Sequence, residues 1–182
     1  MYKTLEEFLK DEEDESVSIN ELIDTIGQNN AKVIKYSDLA SYASLEALFS
    51  SVPNIVIYFP IETETQGHFV AMLHYPEMNL VNYFCPYGLS VEGDIQQSRV
   101  LRHANPATRL LLPRMVDDFK ARGGKFTESL IPIQEMSDAV ATCGKHCFFR
   151  IMFREIVEPD AYARFLNYHN LTPDEIVTLA FV

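Results

Sequence analysis

Three apolar runs stand close together in the middle of the chain: Ile55–Phe59 (IVIYF), Phe69–Tyr75 and Leu80–Phe84. Only short polar or turn-forming stretches separate them, Glu62–Gln66 leading into Gly67-His68, and Pro76–Asn79. Continuous apolar runs of this length read as buried strands. Connections this short have no room for a crossover helix, so the three strands predict an antiparallel meander. The segments on either side read differently. Leu5, Phe8 and Leu9 sit at helical spacing. Ser18 and Glu21 form a capping box that opens a helix with Ile19, Leu22, Ile23 and Ile26 on one face, ended by Gly27. Ala31–Tyr36 reads as a short strand and Asp38–Phe49 as a helix. Downstream, residues 89–105 read as a polar surface excursion. A helix is expected within Pro106–Arg122, starting at Pro113, then a strand at Ser129–Ile133. Gly144–Val157 reads as a helix apolar on all sides, hence central and buried. Thr172-Pro173-Asp174-Glu175 opens a final helix. Helices, then strands, then helices predict an α+β fold.

Composition limits what such a domain can do. The chain has 182 residues, 47% hydrophobic and 12% aromatic, enough for one ordered domain over 1–182 with a charged leader at 1–16. No run is apolar and long enough for a transmembrane helix. The acidic start MYKTLEEFLKDEEDE is not a signal peptide, so the expected location is where the protein is made, not outside the cell. The formal net charge of −11 argues against a broad grip on nucleic acid or anionic lipid. Arg99, Arg102, Arg109 and Arg114 read as a solvated surface.

There are three cysteines, Cys85, Cys143 and Cys147. An odd, small number without a secretory signal suggests no disulfide framework, but a reactive cysteine with a distant histidine. Cys143 lies where a small-residue loop, Ala139-Val140-Ala141-Thr142, meets the buried helix. A helix N-terminus favours a thiolate and offers N–H groups to an oxyanion. Cys147, one turn on, reads as an inert core thiol. Of five histidines, His68 is the best partner, at the mouth of a strand. His74 lies on the same face at the far end of that strand. His103 and His169 are in polar stretches, and His146 points along the cysteine's own helix. Gln134, at the end of a strand, can donate to an oxyanion. Zinc ligation by Cys85, Cys143, His146, Cys147 and His68 lacks a CxxC knuckle, so neither metal nor cofactor is expected.

Three blocks resemble the adenovirus-type and Ulp-type cysteine peptidases, particularly those of polinton-like elements, virophages and large DNA viruses. Gly67-His68-Phe69-Val70-Ala71-Met72 is similar to the family's Gly-His-Trp strand start, with Phe69 replacing tryptophan. Tyr83-Phe84-Cys85-Pro86-Tyr87-Gly88 is similar to its Phe-(Asp/Glu)-Pro-(Phe/Tyr)-Gly strand end. Gln134 with Ala141-Thr142-Cys143-Gly144-Lys145-His146-Cys147 is close to its Gln…Thr-Cys-Gly-(Arg/Lys)-His stretch. Val33–Leu39 also resembles a tyrosine-x-aspartate-leucine segment of the viral members. The resemblance runs from about residue 30 to about 157. It implies a papain-like fold with the nucleophile's helix packed on a mainly antiparallel sheet. Cys143 would be the nucleophile, His68 its base, and Gln134 an oxyanion donor. It further implies cleavage of viral capsid or core precursors after small residues such as glycine, in a host cytoplasm or virus factory and in the virion. The alternatives are a peptidase acting on host ubiquitin-like conjugates, or an inactive relative that binds or builds. Adenovirus peptidase is activated by DNA and a small peptide, but the negative charge here speaks against a DNA cofactor.

The chain departs from the pattern at the third catalytic position, where the family has an acid or amide and Cys85 stands here. A neutral thiol is a poor acceptor for the His68 N–H. Three readings stay open: a Cys143–His68 dyad alone, a substitute such as Asn82 brought round by a bulge, or loss of activity. Cys85 also raises the idea of an oxidative link to Cys143, against the plainer reading of a small hydrophobe at a strand end.

Overall fold

The strands are apolar on both faces, so each face needs a cover, and the flanking helices supply one on either side. The computed structural model describes residues 4–13, 15, 17–27, 30–136, 141–167 and 170–181. Ala139, Val140 and His169 lie outside the described residues. In chain order the elements are α1 (Leu5–Glu13), α2 (Ile19–Ile26), β1 (Lys32–Lys35), a 3-10 helix (Tyr36–Ser41) and α3 (Leu45–Leu48). Then come β2 (Asn54–Thr63), β3 (Gln66–Tyr75), β4 (Leu80–Phe84), α4 (Val91–Gln97), α5 (Arg99–His103), α6 (Pro106–Arg109) and α7 (Leu111–Ala121). The chain continues with β5 (Lys125–Ser129), α8 (Cys143–Met152), α9 (Pro159–Leu166) and α10 (Pro173–Phe181).

The fold is α+β, with one five-stranded sheet in the order β1-β2-β3-β4-β5. The central meander β2-β3-β4 is antiparallel. Both edge strands run parallel to their neighbours, β1 to β2 and β5 to β4. The sheet is therefore mixed. Each parallel pairing is joined through helices, as a parallel connection requires. On one face Ile57, Phe59, Val70, Met72, Val81 and Tyr83 meet the 3-10 helix, α3, α4, α5 and α7. On the other, Val56, Phe69, Ala71, Leu73, Leu80 and Phe84 meet α2, α8, α9 and α10. Fully buried Arg150 of α8 donates to the Phe153 carbonyl (3.2 Å) and the Tyr75 hydroxyl (3.4 Å), and its guanidinium lies over the Tyr162 ring.

Several boundaries differ from the sequence reading for identifiable reasons. The helix expected over Asp38–Phe49 is two pieces, because the Ser44 hydroxyl accepts from the Ala47 amide and starts α3 afresh. Pro113 sits in the first turn of α7, not at its first residue, where its missing N–H is still harmless. The strand expected at Ser129–Ile133 is β5 at Lys125–Ser129, entered directly from Gly123-Gly124. As an edge strand with one large apolar residue, Phe126, it carries little hydrophobic signal, and Pro132 cannot donate to a ladder. The helix that carries Cys143 stops at Met152, five residues before the expected Val157. The supposed polar excursion at 89–105 holds two helices, and the first of them carries a buried acid.

Candidate active site

His68 is positioned by the pairing of β3 with β2, where Phe59 faces His68 and Pro60 faces Gly67. A side chain at 67 would collide there, since a Cβ would stand 2.0 Å from the Phe59 carbonyl oxygen. Strand alternation sends His68 to the same face as Val70 and Met72, the face that α4 covers. The Ser90 hydroxyl accepts from the Gly93 amide and starts α4. Val91 and Ile95 anchor α4 in the core, and Asp94, on their side of the helix, has no exposed surface. Its Oδ1 lies 2.9 Å from His68 Nε2. Cys85 Sγ donates to that same oxygen at 3.5 Å, and the Tyr83 hydroxyl donates to Oδ2. Among the described residues the Nε2 contact is close but oblique, and neither ring nitrogen of His68 makes an in-line hydrogen bond to a protein group.

The acid beside His68 is therefore Asp94, a residue the sequence reading did not select. Asn82, the substitute it named, pairs across β3 with Leu73, and its amide donates to the Thr127 hydroxyl at 3.0 Å. It shares the face of Leu80 and Phe84, opposite to His68, and β4 carries no bulge that would turn it round. Cys85 does stand beside the histidine, but as a donor to Asp94. Burial first, and the Asp94 charge second, push its thiol far above the ordinary value. All three cysteines are free. A thiol kept protonated reacts slowly with oxidants, so this environment disfavours an oxidative link. The signal for Asp94 was present: Val91, Asp94, Ile95, Ser98 and Leu101 form one helical stripe, with an acid on it.

Cys143 is the first residue of α8 and is 9% exposed. The backbone amides of Phe69, Gly144 and Cys143 itself favour its thiolate. Burial pushes the thiol up, and these three N–H groups pull it partly back, leaving it raised. Left to itself this thiol stays protonated, so reaction requires a base that takes its proton and keeps the opposite charge close by. The approach of α8 to β3 is tight: a Cβ on Gly144 would lie 3.3 Å from the Phe69 ring. Phe69 follows His68, so the strand that carries His68 also packs against the helix that Cys143 begins. Among the described residues no hydrogen bond joins Cys143 to His68; catalytic contacts often close only with substrate bound. Cys147 is fully buried, and burial drives its thiol far up, as suits a core group.

Gln134 is fixed from both ends. Its backbone amide donates to the Pro86 carbonyl (3.1 Å), and its Nε2 donates to the Tyr87 hydroxyl (3.3 Å). The Tyr87 ring centroid lies 5.4 Å from that of His68, and burial pushes the Tyr87 phenol far above its ordinary value. Tyr87 is thus a common neighbour of His68 and Gln134, while Cys143 packs beside Phe69 in the core layer on the other face of the sheet. Gly88, at φ 69°, makes this turn, and a Cβ there would meet the Pro132 nitrogen at 2.5 Å.

A second acid braces the segment around Cys143. Asp174, in the first turn of α10, accepts from the Thr142 hydroxyl, from His146 Nε2 (3.0 Å) and from the Glu135 amide (2.9 Å). Burial alone would raise its carboxyl, but the bonds from His146, Thr142 and Glu135 outweigh it and hold the carboxyl below the usual range. One carboxylate thereby ties the residue before Cys143, the residue three after it, and the residue next to Gln134. Sequence reading saw Asp174 only as part of a helix start.

Two open cavities border the site. One, ≈ 490 Å³, is lined by Gly67, His68, Tyr87, Gln97 and Met136; the other, ≈ 540 Å³, by Ile133, Gln134, Glu135, Thr172 and Asp174. Among the described residues, the donor atoms close enough for one metal ion belong to His68, Cys85 and Asp94. The larger set weighed from sequence, with Cys143, His146 and Cys147, is not brought together. No described helix is long and apolar enough to cross a membrane. No protein-family model matches the chain, and no curated protein matches it at a significant level.

Proposed function

We propose that the protein is a cysteine endopeptidase with a papain-like fold of the adenain and Ulp type. The observation that carries this reading is the grouping about Tyr87 of a glutamine amide and a histidine beside a buried carboxylate, on the strand whose next residue, Phe69, packs against the helix that Cys143 begins. His68 takes the Cys143 proton, and the imidazolium is stabilised by Asp94 at 2.9 Å. Tyr83 and Cys85 hold Asp94 in place through their hydrogen bonds. The thiolate attacks the scissile carbonyl, and the negative oxygen that forms is received by Gln134 Nε2 and the Cys143 amide. His68 then returns the proton to the leaving amine, and water, deprotonated by the same imidazole, releases the acyl group. In this reading Asp94 fills the role that Cys85 leaves vacant.

The substrate class follows from the resemblance of the three sequence blocks: precursor proteins of a virus particle, cut after small residues during maturation. The first experiment is alkylation of Cys143 by iodoacetamide between pH 4 and 9, in wild type and in His68→Ala. An activated pair gives fast alkylation well below the unperturbed thiol value of about 8.5, lost in the variant. A single ordinary thiol titration, unchanged by the substitution, refutes catalysis and leaves a binding or structural role. Peptide libraries with glycine or alanine before the scissile bond, set against ubiquitin-like reporters, then separate maturation from removal of modifiers.

A further inference from the structure

We propose that His68, Cys85 and Asp94 form a binding site for a zinc-class divalent cation, and that the bound ion switches the enzyme off. Inhibition rests on the peptidase reading; the binding site does not.

Three observations on different side chains carry the site. First, one donor atom from each residue lies within 4.8 Å of the others, with Nε2 and Oδ1 2.9 Å apart and Sγ and Oδ1 3.5 Å apart. Donors on a tetrahedral zinc ion, at its usual bond lengths to nitrogen, oxygen and sulfur, stand about 3.3–3.5 Å apart. The two separations that share Oδ1 are within about half an ångström of that spacing, and Nε2 and Sγ, within 4.8 Å of each other, are the pair that an ion must draw together. Secondly, His68 is 97% buried by its 3% exposure, yet Nε2 makes no in-line hydrogen bond to a protein group among the described residues. That leaves its lone-pair direction available to an ion. Thirdly, Asp94 has no exposed surface and, among the described residues, no lysine or arginine partner. A dication bound by one carboxylate and one thiolate makes the buried cluster neutral.

The donor set of imidazole, thiolate and carboxylate selects zinc-class ions over magnesium or calcium, which prefer all-oxygen sites. Three protein ligands leave a fourth position for water. His68 also lines the open cavity, the side from which ion and water enter. A coordinating thiol is deprotonated outright by the metal, so the Cys85 proton leaves to solvent. Coordination occupies the Nε2 lone pair, which places the ring's one proton on Nδ1. The ring then has no free nitrogen to accept the Cys143 proton, and Asp94 is no longer available to support an imidazolium. The thiol at 85, in the place of the family's acid, turns a supporting contact into a metal ligand.

Cobalt(II) titration of the full chain tests the site without any substrate. The expected result is one cobalt ion per chain with a thiolate-to-cobalt charge-transfer band, displaced by zinc. The band persists in Cys143→Ala and is lost in Cys85→Ser, which keeps a donor for Asp94. Asp94→Asn should weaken binding by more than the roughly 10–100-fold typical of second-shell changes. A thermal scan of each metal-free variant verifies folding, and zinc should raise the melting temperature of wild type but not of Cys85→Ser. Zinc should also slow iodoacetamide alkylation of Cys143 in wild type and leave that of Cys85→Ser unchanged. No band in wild type, or a band that survives in Cys85→Ser and vanishes in Cys143→Ala, overturns the site. Binding that leaves the alkylation rate of wild type untouched overturns the switch. If metal-free wild type alkylates as an ordinary thiol, the peptidase reading fails, while the cobalt spectrum still decides the site.

Discussion

Replacing Asp94 with asparagine keeps the shape of the buried side chain and removes its charge. In the wild type Oδ2 accepts from Tyr83, while Oδ1 faces both His68 Nε2 and Cys85. Asparagine has one acceptor oxygen. If that oxygen stays with Tyr83, the amide nitrogen faces His68 and needs an acceptor, which forces the ring proton onto Nδ1. The ring can then no longer take the Cys143 proton. If the oxygen instead serves His68, the tautomer survives but the imidazolium loses its counter-charge. A hydrogen-bonding contact to a charged group contributes about 1.5–3 kcal/mol; with tenfold per 1.4 kcal/mol, this second case lowers the thiolate–imidazolium population roughly 10–140-fold. The first case is worse, since the same acid-to-amide change in a serine-peptidase triad lowers kcat by about 10⁴. The assay is the second-order rate of Cys143 alkylation at pH 6, with peptide mass mapping to identify the modified cysteine. The expected drop lies between about 10- and 10⁴-fold. A folded Asp94→Asn protein that reacts within threefold of wild type would show that Asp94 is only a packing acid, and the mechanism would revert to a dyad.

Gln134→Ala removes one oxyanion donor, so turnover should fall about 10²–10³-fold while the alkylation profile of Cys143 stays as it was; a parallel fall in both assigns Gln134 to positioning the nucleophile instead. Asp174→Asn should destabilise the protein by about 1–3 kcal/mol near neutral pH, because His146, Thr142 and the Glu135 amide lose a charged acceptor. The folded carboxyl is held below its unfolded value, so its contribution is complete above about pH 3.9 and is lost as pH falls through the folded value. Thermal scans of both proteins from pH 7 to pH 3 should converge, and a constant gap across that range contradicts the assignment. Gly67→Ala puts a Cβ against the Phe59 carbonyl oxygen, 2.0 Å away, which backbone pairing cannot relieve. Overpacking of about 3 kcal/mol lowers Tm by roughly 6–12 °C in a chain of this size, and an unchanged Tm refutes the tight β2–β3 approach.

Much of the fold is local and was legible. Turn residues and continuous apolar runs marked β2, β3 and β4, and the Ser18–Glu21 pair marked the start of α2 with both reciprocal bonds in place. The junction at Cys143 was readable because small residues give way there to a dense apolar pattern, and α8 begins at that cysteine. The weak points were elements whose signal is thin. Edge strand β5 shows one large apolar residue, and α4 and α5 are short helices in polar sequence, where periodicity has few positions to count.

The sequence by itself determined the α+β order and the apolar centre of the sheet and singled out His68, Gln134 and Cys143, because periodicity, glycine and capping act over a few neighbouring residues. Only the tertiary structure decided what stands beside them. Whether Asn82 or Asp94 meets His68 depends on which sheet face each element covers, and alternation along β4 turns Asn82 away while α4 delivers Asp94 from the far side of a loop. The bond from α10 to the residues around Cys143 likewise joins segments distant in sequence. A hydrogen bond between distant residues leaves no periodic trace in the chain; it exists because burying both apolar faces of one sheet fixes where every covering helix must lie.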